Sequence, residues 1–207
     1  MTRRLLSVAL AGLLLAGCKS KEEKQAEEMQ KAAQQMQEGM AKSLEGIAKG
    51  MAAAAGDPNA KPVAPADFKE LEKALADLPG WMREGPTGER ATSPVAYADA
   101  SVTFKKGDAE ITEKVTDSAL NQLLMAPLGM VLAGNYSKES DSGYERTVTL
   151  GGYPGHESWD SQAKYADIKV VVGKRFIVEI EGQNLDDVKV MRSVLDKTDL
   201  KKLASLK

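Results

Sequence analysis

Hydrophobic positions along this chain change their pattern several times, and each change marks a different kind of segment. A continuous apolar run, Leu5 to Ala16, follows the basic pair Arg3 and Arg4. Across residues 19–53 the apolar positions become periodic, with Ala26, Met29, Ala33, Met36, Met40, Leu44, Ile47 and Met51 spaced three or four apart, as on one face of a helix. Glu27 with Lys31, Glu38 with Lys42 and Glu45 with Lys49 place an acid four residues before a base, the order that supports a helix surface. Successive gaps of four around Met40 interrupt a heptad and would unwind a supercoil there, while Gly39, Gly46 and Gly50 weaken the helix. A long helical stalk is therefore expected, either a solvated tether or a coiled coil through which the chain self-associates as a homo-oligomer. Residues 56–66, GDPNAKPVAPA, end it with a stiff, proline-rich linker.

A folded domain is expected over 67–207. Asp67 and Glu70 make a capping-box-like start to a helix that carries Phe68, Leu71, Leu75 and Leu78 on one face and stops at Pro79 and Gly80. Val95 to Phe104 and Ala109 to Thr116 alternate around Gly107 and Asp108, which reads as a hairpin. Asp117 or Ser118 would cap a strongly apolar helix containing Leu120, Leu123, Leu124, Leu128, Val131 and Leu132, kinked at Pro127 and central to the core. Tyr144 to Leu150 and Tyr153 to Trp159 are expected strands meeting at Gly151 and Gly152. Ile168 to Val172 and Phe176 to Ile180 flank Gly173 and Lys174, a sequence suited to a primed turn. Asn184 would cap a helix to Leu195, and Thr198 another to Leu206. The fold class that follows is α+β, an antiparallel sheet of about six strands with helices packed on one face. The element order resembles the small α+β fold of the photosystem II extrinsic P-type proteins, without a shared diagnostic motif.

The first apolar run has its own meaning. About 12 residues fall short of the roughly 20 that span a bilayer as a helix, and the basic start, apolar middle and small-residue end have the layout of a secretory signal. At its close, Leu15, Ala16, Gly17 and Cys18 resemble the lipobox of the bacterial lipoproteins. That resemblance implies a signal peptide at 1–17, peptidase recognition through Leu15, Ala16 and Gly17, and a diacylglycerol thioether plus N-acylation at Cys18. Two or more acyl chains hold a protein firmly to a membrane. In such families a lysine after the cysteine, here Lys19, favours the outer membrane and a periplasm-facing protein. The expected organisation is signal peptide 1–17, lipidated stalk 18–55, linker 56–66 and α+β domain 67–207.

Cys18 is the only cysteine in 207 residues, so the domain folds without an internal disulfide. Loss of the leader removes Arg3 and Arg4 and shifts the formal charge from −2 to −4. A mildly acidic chain offers no footprint for nucleic acid. Chemistry is sparsely signalled. His156 is the sole histidine. The H-E-x-x-H zinc pattern fails at Asp160, leaving only a weak mixed set of His156, Glu157 and Asp160. Asn184, Asp186 and Asp187 lack the spacing of a calcium loop and read as helix capping. Gly151, Gly152 and Gly155 punctuate turns and do not form a phosphate loop. Tyr153, Trp159 and Tyr165 could line a groove or pack at a sheet edge. No catalytic residue, cofactor or metal is assigned. The expected function is a lipid-anchored, non-catalytic envelope protein that binds a partner or ligand or supports an assembly. The alternatives are an enzyme using Glu157 and Asp160 as general acid and base, and a structural oligomer built through the stalk.

Overall fold

A computed structural model describes residues 61–206. The Leu15–Ala16–Gly17–Cys18 lipobox, the stalk and most of the linker lie outside the described residues. The elements in chain order are α1 (Phe68–Glu72), β1 (Met82–Thr87), β2 (Arg90–Ala91), β3 (Tyr97–Lys106), β4 (Ala109–Asp117), α2 (Gln122–Leu132), β5 (Ser137–Ser140), β6 (Gly143–Leu150), β7 (Tyr153–Asp160), β8 (Tyr165–Val172), β9 (Phe176–Gln183), α3 (Lys189–Leu195) and α4 (Leu200–Ser205). The strands form one sheet in the order β1-β3-β4-β9-β8-β7-β6-β5, with β2 also paired to β3. Every pairing is antiparallel.

Strict alternation sorts the sheet into two unlike faces. On one face Ala98, Ala100, Val102 and Phe104 of β3 lie opposite Asp117, Val115, Glu113 and Ile111 of β4. The row continues through Phe176, Val178 and Ile180 of β9 into Val172, Val170 and Ile168 of β8. These apolar side chains are at most 2% exposed and form the core with Leu71, Leu185, Met191, Val194 and Leu203. Burying each large aliphatic or aromatic side chain contributes about 1.5–3 kcal/mol. Helices α1, α3 and α4 supply that cover.

The sheet is larger than the six strands expected. The additional strands are β1, β2 and β5, whose residues are mostly exposed. A polar edge strand has no buried face, so it carries no alternation to read. The helices also occupy both faces instead of one. α2 lies on the side opposite the core, where its Met125 and Leu128 pack on Val171 and Ile177, residues of the other parity on β8 and β9. It is not central: Leu123 is 75% and Met130 61% exposed.

Local hydrogen bonds explain where elements stop. Asp67 caps α1 by accepting from Lys69 N, but the helix ends at Glu72, short of the expected Leu78. Beyond it the Ala76 N–H donates to Glu113 Oε2 at 2.8 Å and the Ala74 carbonyl accepts from Asp199 N at 2.9 Å, so tertiary partners take the groups a longer helix would use. Asp117 does not cap α2; Asn121 does, accepting from Leu123 N, because Ala119 and Leu120 turn the chain at positive φ. Pro127 sits inside α2. The β8–β9 turn has Gly173 and Lys174 at φ 60° and 58°, as a primed turn requires, and leaves Arg175 outside the ladder. Asn184 also sits at positive φ and donates to the Asp108 carbonyl, so α3 begins only at Lys189. Asp199, not Thr198, caps α4.

Candidate functional site

The acids of the core face are all committed to structure. Asp117 Oδ1 and Oδ2 accept from Arg175 Nε at 2.8 Å and Nη2 at 2.7 Å, and the same carboxylate accepts from Ala66 N and Ala119 N. Glu113 accepts from Ala76 N and from Thr198 Oγ1 at 2.7 Å. Burial pushes its carboxyl up to about 7, against the opposing pull of those two hydrogen bonds. Glu157 is fully buried and receives Arg192 through Nε at 2.8 Å and Nη2 at 2.7 Å, with Arg146 Nη2 at 3.1 Å. Burial alone would raise its pKa, but the two guanidinium groups outweigh it and hold the carboxyl below its usual range.

The opposite face is different in kind. Register places Lys114, Glu179, Lys169 and His156 in one row across β4, β9, β8 and β7. The next row runs Thr112, Glu181, Asp167, Ser158 and Glu145. Lys169 Nζ lies 2.5 Å from Glu179 Oε1 and 3.4 Å from Asp167 Oδ2. Lys114 Nζ lies 3.4 Å from Asp99 Oδ2, and His156 Nε2 lies 3.2 Å from Glu145 Oε1. Asp167 is buried, and its Oδ2 accepts no hydrogen bond. Burial and the nearby Glu179 and Glu181 charges raise its pKa, with Lys169 opposing. Lys169 is held as an ammonium: desolvation works against its charge, but Glu179 and Asp167 prevail. Ligand oxygens of Asp167, Glu179 and Glu181 lie within 4.8 Å of one another, and the lysine supplies the cation among them. Five carboxylates, Asp99, Glu145, Asp167, Glu179 and Glu181, share this face with three lysines, Lys114, Lys169 and, opposite Glu145 on β5, Lys138.

Helix α2 walls this strip on one side. Leu124, Pro127, Leu128 and Val131 with Ile177 form the apolar side of a cleft of about 270 Å³ whose polar side is Lys169 and Glu179. The face therefore combines an apolar notch with an acid-rich floor.

Of the residues singled out in the sequence, His156 and Glu157 are adjacent on β7 and so point to opposite faces. Asp160 accepts from Gln162 N and Ala163 N in the following turn. The mixed metal set and the acid–base pair are thus not brought together. Asp186 pairs with Lys164, and Asp187 accepts from Lys189 N just ahead of α3, whose N-cap position is Val188 and carries no side-chain cap. Trp159 and Tyr165 line a shallow depression with Tyr144 and Lys138, whereas Tyr153 lines a separate one with Gly151, Gly152 and Thr198. Asp167, Lys169, Glu179 and Glu181 escaped the sequence reading because each occupies the polar phase of a strand, and that phase ordinarily meets water. No helix among the described residues is long and apolar enough to cross a membrane. No family model, curated protein or solved structure matches the chain.

Proposed function

We propose that the protein is a non-catalytic, lipid-anchored envelope protein whose α+β domain presents the acid-rich open sheet face to a ligand or partner. The observation that carries the reading is the division of labour between the faces. Glu113, Asp117 and Glu157 are saturated by hydrogen bonds inside the fold, while the charged rows beside α2 stand on the side that the core helices leave open. The lipobox-like Leu15–Cys18 segment supports anchorage. Confinement to a surface raises the effective concentration of the domain towards its neighbours. The excess of carboxylates over lysines favours a cationic partner, and the notch against α2 accepts an apolar side chain from it. A Lys19-type sorting residue supports the outer membrane, with the domain facing the periplasm.

Two measurements test this. Mass spectrometry of the mature amino terminus is expected to find a diacylglyceryl, N-acylated Cys18, and Cys18→Ser is expected to abolish it; a bare thiol in the wild type refutes the anchor. A photo-crosslinking residue at Glu181 or Ser158 is expected to give a discrete adduct in intact cells that is absent when the crosslinker replaces Lys201 on α4. Equal adducts at both places refute the open face as the binding surface.

A further inference from the structure

We propose that the exposed side of α2 rests on the surface of the bilayer. From Ser118 to Ser137 the chain contains no charged residue, although acids and bases make up 28% of the whole. Of this segment Met125, Leu128 and Leu132 are drawn into the apolar contact with Val171 and Ile177, and Ala119 is buried. Four of its large apolar side chains face outward: Leu123 is 75%, Met130 61%, Tyr136 44% and Val131 43% exposed. Apolar side chains gathered on one uncharged segment mark an interaction surface, unlike single exposed ones, which are ordinary. Tyr136, followed by exposed Lys138, has the composition that suits a water–lipid boundary: an aromatic ring with a polar tip, then an amine that reaches headgroups.

The path of the chain selects lipid as the occupant. The Val63 N–H donates to the Ala119 carbonyl at 3.0 Å, two residues before the cap of α2. Whatever precedes residue 63 therefore joins the domain at the start of this helix. Forty-four residues lie between Cys18 and Val63; with the expected stalk helical at about 1.5 Å per residue and the linker extended at about 3.3–3.6 Å per residue, they permit the contact without straining. The inference rests on the lipid anchor proposed above. A short apolar helix face holds to a bilayer only weakly when alone, and acts effectively once a lipid chain already keeps it there.

The test uses the lipidated chain with Met130→Cys labelled by an environment-sensitive nitrobenzoxadiazole dye, reconstituted on phosphatidylethanolamine–phosphatidylglycerol vesicles. Lys201→Cys on α4, on the opposite face of the sheet, is the reference. The expected result is a blue-shifted emission at 130, quenched by doxyl-labelled phospholipid, with aqueous emission at 201. Aqueous emission at 130 in protein that floats with the vesicles overturns the docking and leaves the anchor standing. Protein that does not float, with a bare thiol at Cys18, overturns both. A concentration-dependent blue shift without vesicles assigns the helix to a second copy, and a shift that needs added envelope protein assigns it to a protein partner; either overturns the lipid assignment.

Discussion

Replacing Glu113 by glutamine should stabilise the protein at alkaline pH and leave it almost unchanged in mild acid. Glu113 lies on β4 beneath the turns that follow α1 and α3, fully buried, with Ala76 N and Thr198 Oγ1 as donors. Its carboxyl is pushed up from 4.5 to about 7. Between those values the folded protein retains a proton that the unfolded chain has released, so stability falls as pH rises through the window and the full cost is present above about pH 7. At about 1.4 kcal/mol per unit, the cost approaches about 3 kcal/mol. Glutamine carries no charge and keeps both contacts: its carbonyl accepts from Ala76, and its amide donates to Thr198 Oγ1, whose own proton then turns to the Val194 carbonyl 3.1 Å away. Urea denaturation of the unlipidated chain across about pH 5 to 8.5 measures the difference as a shift in midpoint at constant slope. The expected gain for Glu113→Gln is about 2–3 kcal/mol at the alkaline end and within about 0.5 kcal/mol of zero at the acid end. A difference that does not change with pH, or a loss at the alkaline end, refutes the reasoning.

Other expectations follow from the same contacts. Asp117→Ala leaves Arg175 charged and buried without its partner and should cost about 3–5 kcal/mol in urea titration. Asp117→Leu with Arg175→Met should recover part of that loss but stay below wild type, because Ala66 N and Ala119 N still lack an acceptor. Arg192→Met removes the nearer of the two guanidinium groups from Glu157. The depressed pKa of that acid supplies stability above its unfolded value that is lost as pH falls, so the variant's deficit should be largest near neutrality and shrink in acid. Gly143→Ala places a methyl on the Trp159 carbonyl, which is backbone and cannot yield, whereas Gly182→Ala meets only the ends of Leu185 and Met191; calorimetry should show the larger loss of melting temperature for Gly143→Ala.

What the sequence disclosed about this fold depended on whether a residue's partner was near in the chain. The β3–β4, β6–β7 and β8–β9 hairpins were legible because alternation and turn residues sit side by side, down to the positive φ of Gly173 and Lys174. Asp117 was misread as a helix cap because its partner, Arg175, is 58 residues away. Apolarity placed α2 in the core, yet it lands on the other face, against Val171 and Ile177, and neither looks different from its inward-facing neighbours in a run of valines and isoleucines. The carboxylates of the open face are scattered over β3, β6, β8 and β9 and become one surface only through register.

The clamp around residues 63–66 also decides how a mechanical load would travel. Val63 N is held by Ala119, Ala66 N by Asp117 and the Pro65 carbonyl by Arg90. Two of these three bonds carry tension from upstream to the end of β4, a strand with neighbours on both sides, and the third carries it to the short strand β2. A pull on the residues before Val63 would load these few latch bonds ahead of the sheet ladder itself.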